Sequence, residues 1–396
     1  MRGGTRAAEV RYPHYMPQPP NPAPARPLRG RSLRLGFLAV TDAAPLVAAE
    51  ELGLFARQGL NVELRREIGW ATVRDKLIYG ELDAAQAPAP LLWSIQLGLG
   101  CTPCPVCTPL VLSLHGNALT LSQSLWAAGV RDGPSLRTHL QHRARREPVT
   151  FGVGFLFSSA HLLLRDWLRS AGIDPEREVR IVVVPPAQMY RHLTAATLDG
   201  YYTAEPWNSV AVQSGGGWCP VISATQQPGH IEKVLITTSE FSDRNAGETT
   251  ALVTALIQAG AWCSDLQNRE KLAEMLAQSR YLNLPVAALA PSLSGKFDCG
   301  KGQATPVAPF HLFSGGDTNI PTAAKAASIQ RALGAAGLLP TAAATDASLP
   351  ARLFREDIYH QATGTPARPN GKRVDSRLTD AHWQAKTPAA HAAGHD

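Results

Sequence analysis

The chain has 396 residues, 44% of them hydrophobic and 18% charged, with a formal charge of +6 at neutral pH; this is globular composition with room for two or three domains. No run approaches the ~20 apolar residues that a membrane-spanning helix needs. The basic excess sits in "ARPLRGRSLR" and in "HRARREP" (Arg143 to Arg146), neither interleaved with aromatics, so solvated segments explain it and no direct nucleic-acid binding is expected.

Residues 1–32 are rich in Pro and Arg and hold no apolar core of a secretory signal. They read as a disordered arm on a cytoplasmic chain. A leader upstream of the given start would instead imply a periplasmic or membrane-associated protein. "LRLGFLAV", "DAAPLVAAEELGLFARQG" and "LNVELRR" then read as strand, helix and strand, with Asp42 as helix N-cap, Pro45 in the first turn and Gly59 as stop. Such units build parallel sheets. After "GW" (Gly69, Trp70) the run "ATVRDKLIYGE" predicts a second helix and "LDAAQAP" a short strand. Trp70 thus stands at a strand-to-helix turn, where a partly exposed position is expected.

A pattern then recurs. "RDKLIYGELDAAQAPAP" (Arg74 to Pro90) resembles "YRHLTAATLDGYYTAEP" (Tyr190 to Pro206), which makes Leu82 equivalent to Leu198 and predicts backbone capping by Asp83 and Asp199. This fits two similar α/β lobes, the second opening at "VTFGVGFLFSSAHLLLRDWLRSAGI" and continuing through "EREVRIVVVPPAQM". The segments "ETTALVTALIQAGAWCSDL", "REKLAEMLAQ" and "AKAASIQRALGAAGLL" predict helices, and residues 365–396 a disordered tail.

Catalytic spacings are absent: the sequence has no G-x-S-x-G, Walker A, H-E-x-x-H or G-x-G-x-x-G before a helix. "SGGGW" reads as a surface turn. "CTPCPVC" places Cys101, Cys104 and Cys107 two residues apart, but no fourth ligand stands at matching spacing, so reduced structural thiols are expected and no cofactor or metal. The remaining cysteines, Cys219, Cys263 and Cys299, need form no disulfides in a chain with a core of this size. Hydrogen-bond donors recur beside strand ends and helix starts: Trp70, Gln123, His161 and Lys233. Free N–H groups and partial positive charge at such places suit a small anion.

Taken together and in order, "VTDAAPLVAAEELGLFARQGLNVELRREIGWATVRDKLIYGELDAAQ", "GNALTLSQSLW", "FSSAHLLLRDWL", "VPPAQM", "LDGYYTAEPWNSVAV" and "HIEKVL" resemble the nitrate- and bicarbonate-binding proteins of ABC transporters and the related cytoplasmic nitrate sensors (the NrtA, CmpA and NasS group). The resemblance covers about residues 33–360. It implies a two-lobed periplasmic-binding-protein fold of the second type, each lobe a mostly parallel sheet flanked by helices, with crossings near Ser122 and Lys233. The segments would be 33–121 for the first lobe, 122–233 for the second and 234–364 for the helical return to the first. By resemblance the anion site falls on Trp70, Gln123, His161, Pro186 and Lys233, with Glu205 and Trp207 as structural or hinge residues. The family's bicarbonate binders place a carboxylate where Lys233 falls, so nitrate or nitrite is the expected ligand. "GGDTNIPTAAKAAS" departs from the family's aromatic-rich rim. The implied partner is an antiterminator-type regulator for a sensor, the favoured version, or an ABC permease and ATPase for a transporter subunit. The rival class is a metal- or cysteine-dependent enzyme on the same fold, pyrimidine-synthase-like or desulfinase-like, which "CTPCPVC" keeps open.

Overall fold

The computed structural model describes residues 31–142, 148–303 and 309–365. Residues 1–30, the run Arg143 to Arg146 and the tail from 366 lie outside the described residues.

Eleven strands are described: β1 Leu33–Leu38, β2 Val62–Glu67, β3 Ala84–Pro88, β4 Val106–His115, β5 Asn117–Ser122, β6 Val149–Val153, β7 Val179–Val183, β8 Gly200–Ala204, β9 Gly217–Ile222, β10 Ile231–Thr238 and β11 His311–Leu312. They form two sheets, in the orders β11-β4-β10-β3-β1-β2 and β7-β6-β8-β5-β9. Helices flank both, so the fold is the expected pair of α/β lobes. In each sheet one long strand opposes its long neighbours: β10 is antiparallel to β3 and β4, and β5 to β8 and β9. Each is the strand on which the chain arrives from the other lobe, and it must run away from the crossing it has just made.

The crossings are sharp. β4 ends at His115 and β5 begins at Asn117, so the first crossing is Gly116, not the neighbourhood of Ser122. Gly116 has φ of 101°, open to glycine, and a Cβ there would lie 2.4 Å from Asp42 Oδ1. The second crossing is the stretch 227–230 ahead of β10.

The internal repeat is visible atom by atom. In the first lobe Asp83 donates its N–H to Arg34 O (2.9 Å) and accepts Arg34 N–H on Oδ2 (2.8 Å). In the second, Asp199 does the same with Thr150, at 2.8 Å in both directions. Leu82 leaves no room for a side chain at Gly36, and Leu198 none at Gly152: a Cβ would lie 2.5 and 2.8 Å away.

The return segment serves both lobes. Helices Ala246–Ser264 and Arg269–Ala277 share the first lobe's core with helix Ala44–Glu51. Phe297, Cys299 and Phe310, however, pack on the second lobe beside Cys219 and Ile222, where Cys219 N–H donates to Cys299 O (2.8 Å). Arg165 of the second lobe donates to Ala336 O (3.1 Å). Among the described residues no helix is long and apolar enough to cross a membrane.

Candidate anion site

β2 runs into Gly69, whose extended backbone precedes helix Trp70–Ile78 with no side-chain cap. Trp70 is therefore at the predicted turn, but it is buried (4% exposed) rather than partly exposed. The cover is the other lobe. A Cβ at Gly154, just after β6, would lie 3.1 Å from Trp70 Nε1 and 3.5 Å from Pro186 Cγ. Trp70, Gly154 and Pro186 thus meet at one contact between lobes.

Lys233 joins them. Its Nζ lies 5.5 Å from the Trp70 ring centre, and the residue is 1% exposed. It donates to Asp42 Oδ2 (2.9 Å) and to Glu232 Oε1 (2.5 Å). Burial alone would lower its pKa, but Asp42 and then Glu232 outweigh it and the net direction is up. Burial likewise opposes ionisation of Glu232, yet Lys233 and then His230 hold that carboxyl down to about 2. The ammonium is a buried charge with two counterions, one way such a group survives in a core.

Asp42 is not an N-cap. It lies in the turn Thr41–Ala43 ahead of the helix, makes no cap bond, and spends Oδ2 on Lys233 while Oδ1 faces His311 Nδ1 at 3.2 Å. Asn117, the first residue after Gly116, donates to Glu232 Oε2 at 2.5 Å, and His230 Nε2 lies 3.5 Å from the same oxygen. The His115 ring lies 5.3 Å from that of His230, centre to centre, at a tilt of 38°. Sequence reasoning missed Asp42, Asn117, His230, Glu232 and His311. The available signal was a Glu-Lys pair inside the apolar strand of "HIEKVL".

Gln123 does not belong here. β5 runs away from the lobe contact, with Asn117 opposite Ala204 at the near end and Leu121 opposite Gly200 at the far end. Gln123 follows its far end, where Ser122 N–H bonds Asp199 O. At about 3.3 Å per residue it is some 20 Å from the contact along the strand.

His161 lies at the correct end. Ser158 caps helix Ser159–Ser170 by accepting His161 N–H (3.2 Å), and Ser159 Oγ donates to Ile231 O (3.2 Å) beside the second crossing. The His161 Nδ1 is 2.7 Å from Leu156 O and so carries the ring proton. Burial pulls the imidazole down to about 4. At neutral pH its Nε2 is then an acceptor, contrary to the expected donor role, and no described bond joins it to Trp70 or Lys233.

Glu205 and Trp207 sit on the lobe contact as framework. Glu205 O accepts Thr41 N–H (2.7 Å), its N–H bonds Gly116 O (3.0 Å), and Trp207 Nε1 donates to Ala39 O (3.1 Å). The Glu205 carboxyl is held by Ser209, and burial raises it to about 7. A cavity of about 320 Å³ opens between the lobes beside Pro186, lined also by Leu38, Ile68, Trp207 and Leu284. The cysteine string is elsewhere: Cys107 is in β4, and burial pushes the Cys104 and Cys107 thiols up to about 11. Such thiols stay protonated at neutral pH, which suits neither a nucleophile nor a metal ligand. No group of three or more His, Cys, Asp or Glu among the described residues could hold a metal ion.

The sequence pattern of the NMT1-like family matches residues 27–277. The chain is 36% identical over 293 residues to the bicarbonate transport ATP-binding protein CmpC of Synechococcus elongatus (strain ATCC 33912 / PCC 7942 / FACHB-805), covering 74% of this chain and 43% of that one. It is 31% identical over 283 residues to the nitrate/nitrite binding protein NrtA of the same strain, covering 69% and 64%. The chain therefore spans less than half of the ATP-binding relative and less than two thirds of the binding protein. The crystal structure of the periplasmic nitrate-binding protein NrtA from Synechocystis PCC 6803 superposes with a TM-score of 0.80 at 24% identity, covering 84% of this chain and 88% of that one. That likeness is one of fold.

Proposed function

The chain belongs to the NMT1-like family, and we propose that it binds a small inorganic anion, nitrate or nitrite, between its two lobes without chemistry. The observation that carries this reading is the Lys233 ammonium, buried and kept protonated beside the Trp70 ring where the lobes meet. Trp70 supplies an N–H and a flat apolar wall, and Lys233 supplies ammonium N–H donors. Pro186 and Gly154 bring the second lobe against the same place.

Nitrate and nitrite offer only acceptor oxygens, which Trp70 and Lys233 match with donors. Bicarbonate adds an O–H that asks for an acceptor. Calorimetric titration of the full chain with nitrate, nitrite and bicarbonate tests the choice. The expected order places nitrate or nitrite at least about tenfold ahead, the size of one charged hydrogen bond. Equal or tighter bicarbonate binding refutes the ligand assignment.

The names of the relatives support a role in anion import, with a permease or an ATP-binding component as partner and with lobe closure as the signal. The sensor version uses the same closure on an antiterminator-type regulator in the cytoplasm. Crosslinking in the native host with nitrate present separates the two: an importer subunit among the products supports the first, a regulator in the cytosolic fraction the second.

A further inference from the structure

The lysine at the lobe contact already holds an anion, and that anion is part of the chain. Successive strand residues face opposite sides of a sheet, yet Glu232 and Lys233 meet at 2.5 Å. The register of β10 against β4 shifts on either side of Lys233, and a bulge of this kind turns neighbouring side chains to one place. The other Glu232 oxygen is held by Asn117, first residue after one crossing, and lies 3.5 Å from His230, last residue of the other. One carboxylate therefore ties the ammonium to both crossings.

We infer that Glu232 is a built-in competitor for the ligand: an incoming anion takes its place on Lys233, and the released carboxylate reports occupancy to the two crossings through Asn117 and His230. The inference rests on the anion-binding reading and makes Glu232 the residue that sets its affinity. Lys233, Asp42 and Glu232 together carry one net negative charge, so a second anion is repelled unless a proton enters with it. Lys233 is what keeps Glu232 ionised. Once the ligand takes the lysine, Glu232 holds a proton more readily. The charged and titratable groups around Glu232 and Lys233 are His230 beside them, Asp42 ahead of helix Ala44–Glu51, His115 ending β4, His311 in β11 on Asp42, Tyr202 in β8 and Glu205 just after it. Burial drives His115 and His311 toward the neutral form, which leaves Glu232 to take the proton.

Calorimetric titration of the full chain with nitrate, in two buffers of different ionisation enthalpy at mildly acid and mildly alkaline pH, reads the protons taken up. Net uptake and weaker binding at the higher pH are expected. In Glu232→Gln, which keeps the shape and leaves Asp42 on Lys233, nitrate should bind at least about tenfold tighter at the higher pH, with proton uptake gone. Unchanged affinity in a folded Glu232→Gln protein overturns the inference. So does nitrate binding by the unsubstituted chain without proton uptake, a result that needs no variant. Failure of nitrate, nitrite and bicarbonate alike to bind the unsubstituted chain would overturn the anion-binding reading itself, and the inference with it.

Discussion

At Trp70 packing and recognition can be separated. The ring belongs to a core cluster with Val73, Leu77 and Trp93, so Trp70→Ala should cost about 3–5 kcal/mol of stability. Trp70→Phe keeps an aromatic ring but removes the N–H, and should weaken anion binding several-fold while moving the melting temperature little. If Trp70→Phe binds as well as the original, the indole is packing alone. Burial of the two histidines makes a second prediction. His115 and His161 are drawn from 6.5 to about 4, so the unfolded chain binds protons that the native chain refuses. Their contribution is fully present above pH 6.5 and is lost as pH falls toward 4. Glu205, raised from 4.5 to about 7, acts the other way: its contribution is present below pH 4.5 and lost as pH rises through 7. From these three groups, stability should fall by about 1.4 kcal/mol per pH unit on acidification from 6.5 to 4.5. Glu205→Gln should roughly double that slope in denaturant titrations. An unchanged slope would contradict the burial assigned to Glu205. Asp42 shows where reading single residues stops. A helix-capping rule places it correctly on the chain, but the carboxylate answers to Lys233, a partner 191 residues away.

The order of strands and helices was legible because apolar period and turn residues are local properties. The equivalence of Leu82–Asp83 with Leu198–Asp199 was legible for the same reason: each pair follows a helix and locks the next strand to β1 in one lobe and to β6 in the other. Asp199→Ala should cost about 1–3 kcal/mol by leaving Thr150 N–H without its acceptor. Asp83→Ala should cost more, because Asp83 also takes the guanidinium groups of Arg31 and Arg34 at 2.8 and 2.9 Å. Equal losses measured by denaturant unfolding would contradict this. Strand direction was not legible. Nothing local to "GNALTLSQ" shows that β5 runs away from the contact, so Gln123 is expected at a place where the structure puts Asn117, at the other end of the same strand. The bulge that brings Glu232 beside Lys233 is equally invisible, since it depends on register against β4.

Over the whole molecule, the return segment decides how freely the lobes can part. Phe297 lies 4.5 Å from Phe310, ring to ring, in the small cluster that fixes Cys299 to β9. Phe297→Ala should loosen this tie, lower stability by about 3–5 kcal/mol, and enlarge the radius of gyration of the ligand-free protein in X-ray scattering. An unaltered scattering curve would show that the tie does not limit opening. The lobes' existence could be read from two similar halves, but the tie could not, because it joins Cys219 to Cys299 across 80 residues. The central claim, an anion held where Trp70 and Lys233 meet, has a direct test in the indole N–H resonances of the nitrogen-15-labelled chain during nitrate titration. The peak that Trp70→Phe removes should be the one that shifts most and saturates with the calorimetric affinity. Nitrate binding that leaves that peak in place would contradict the account.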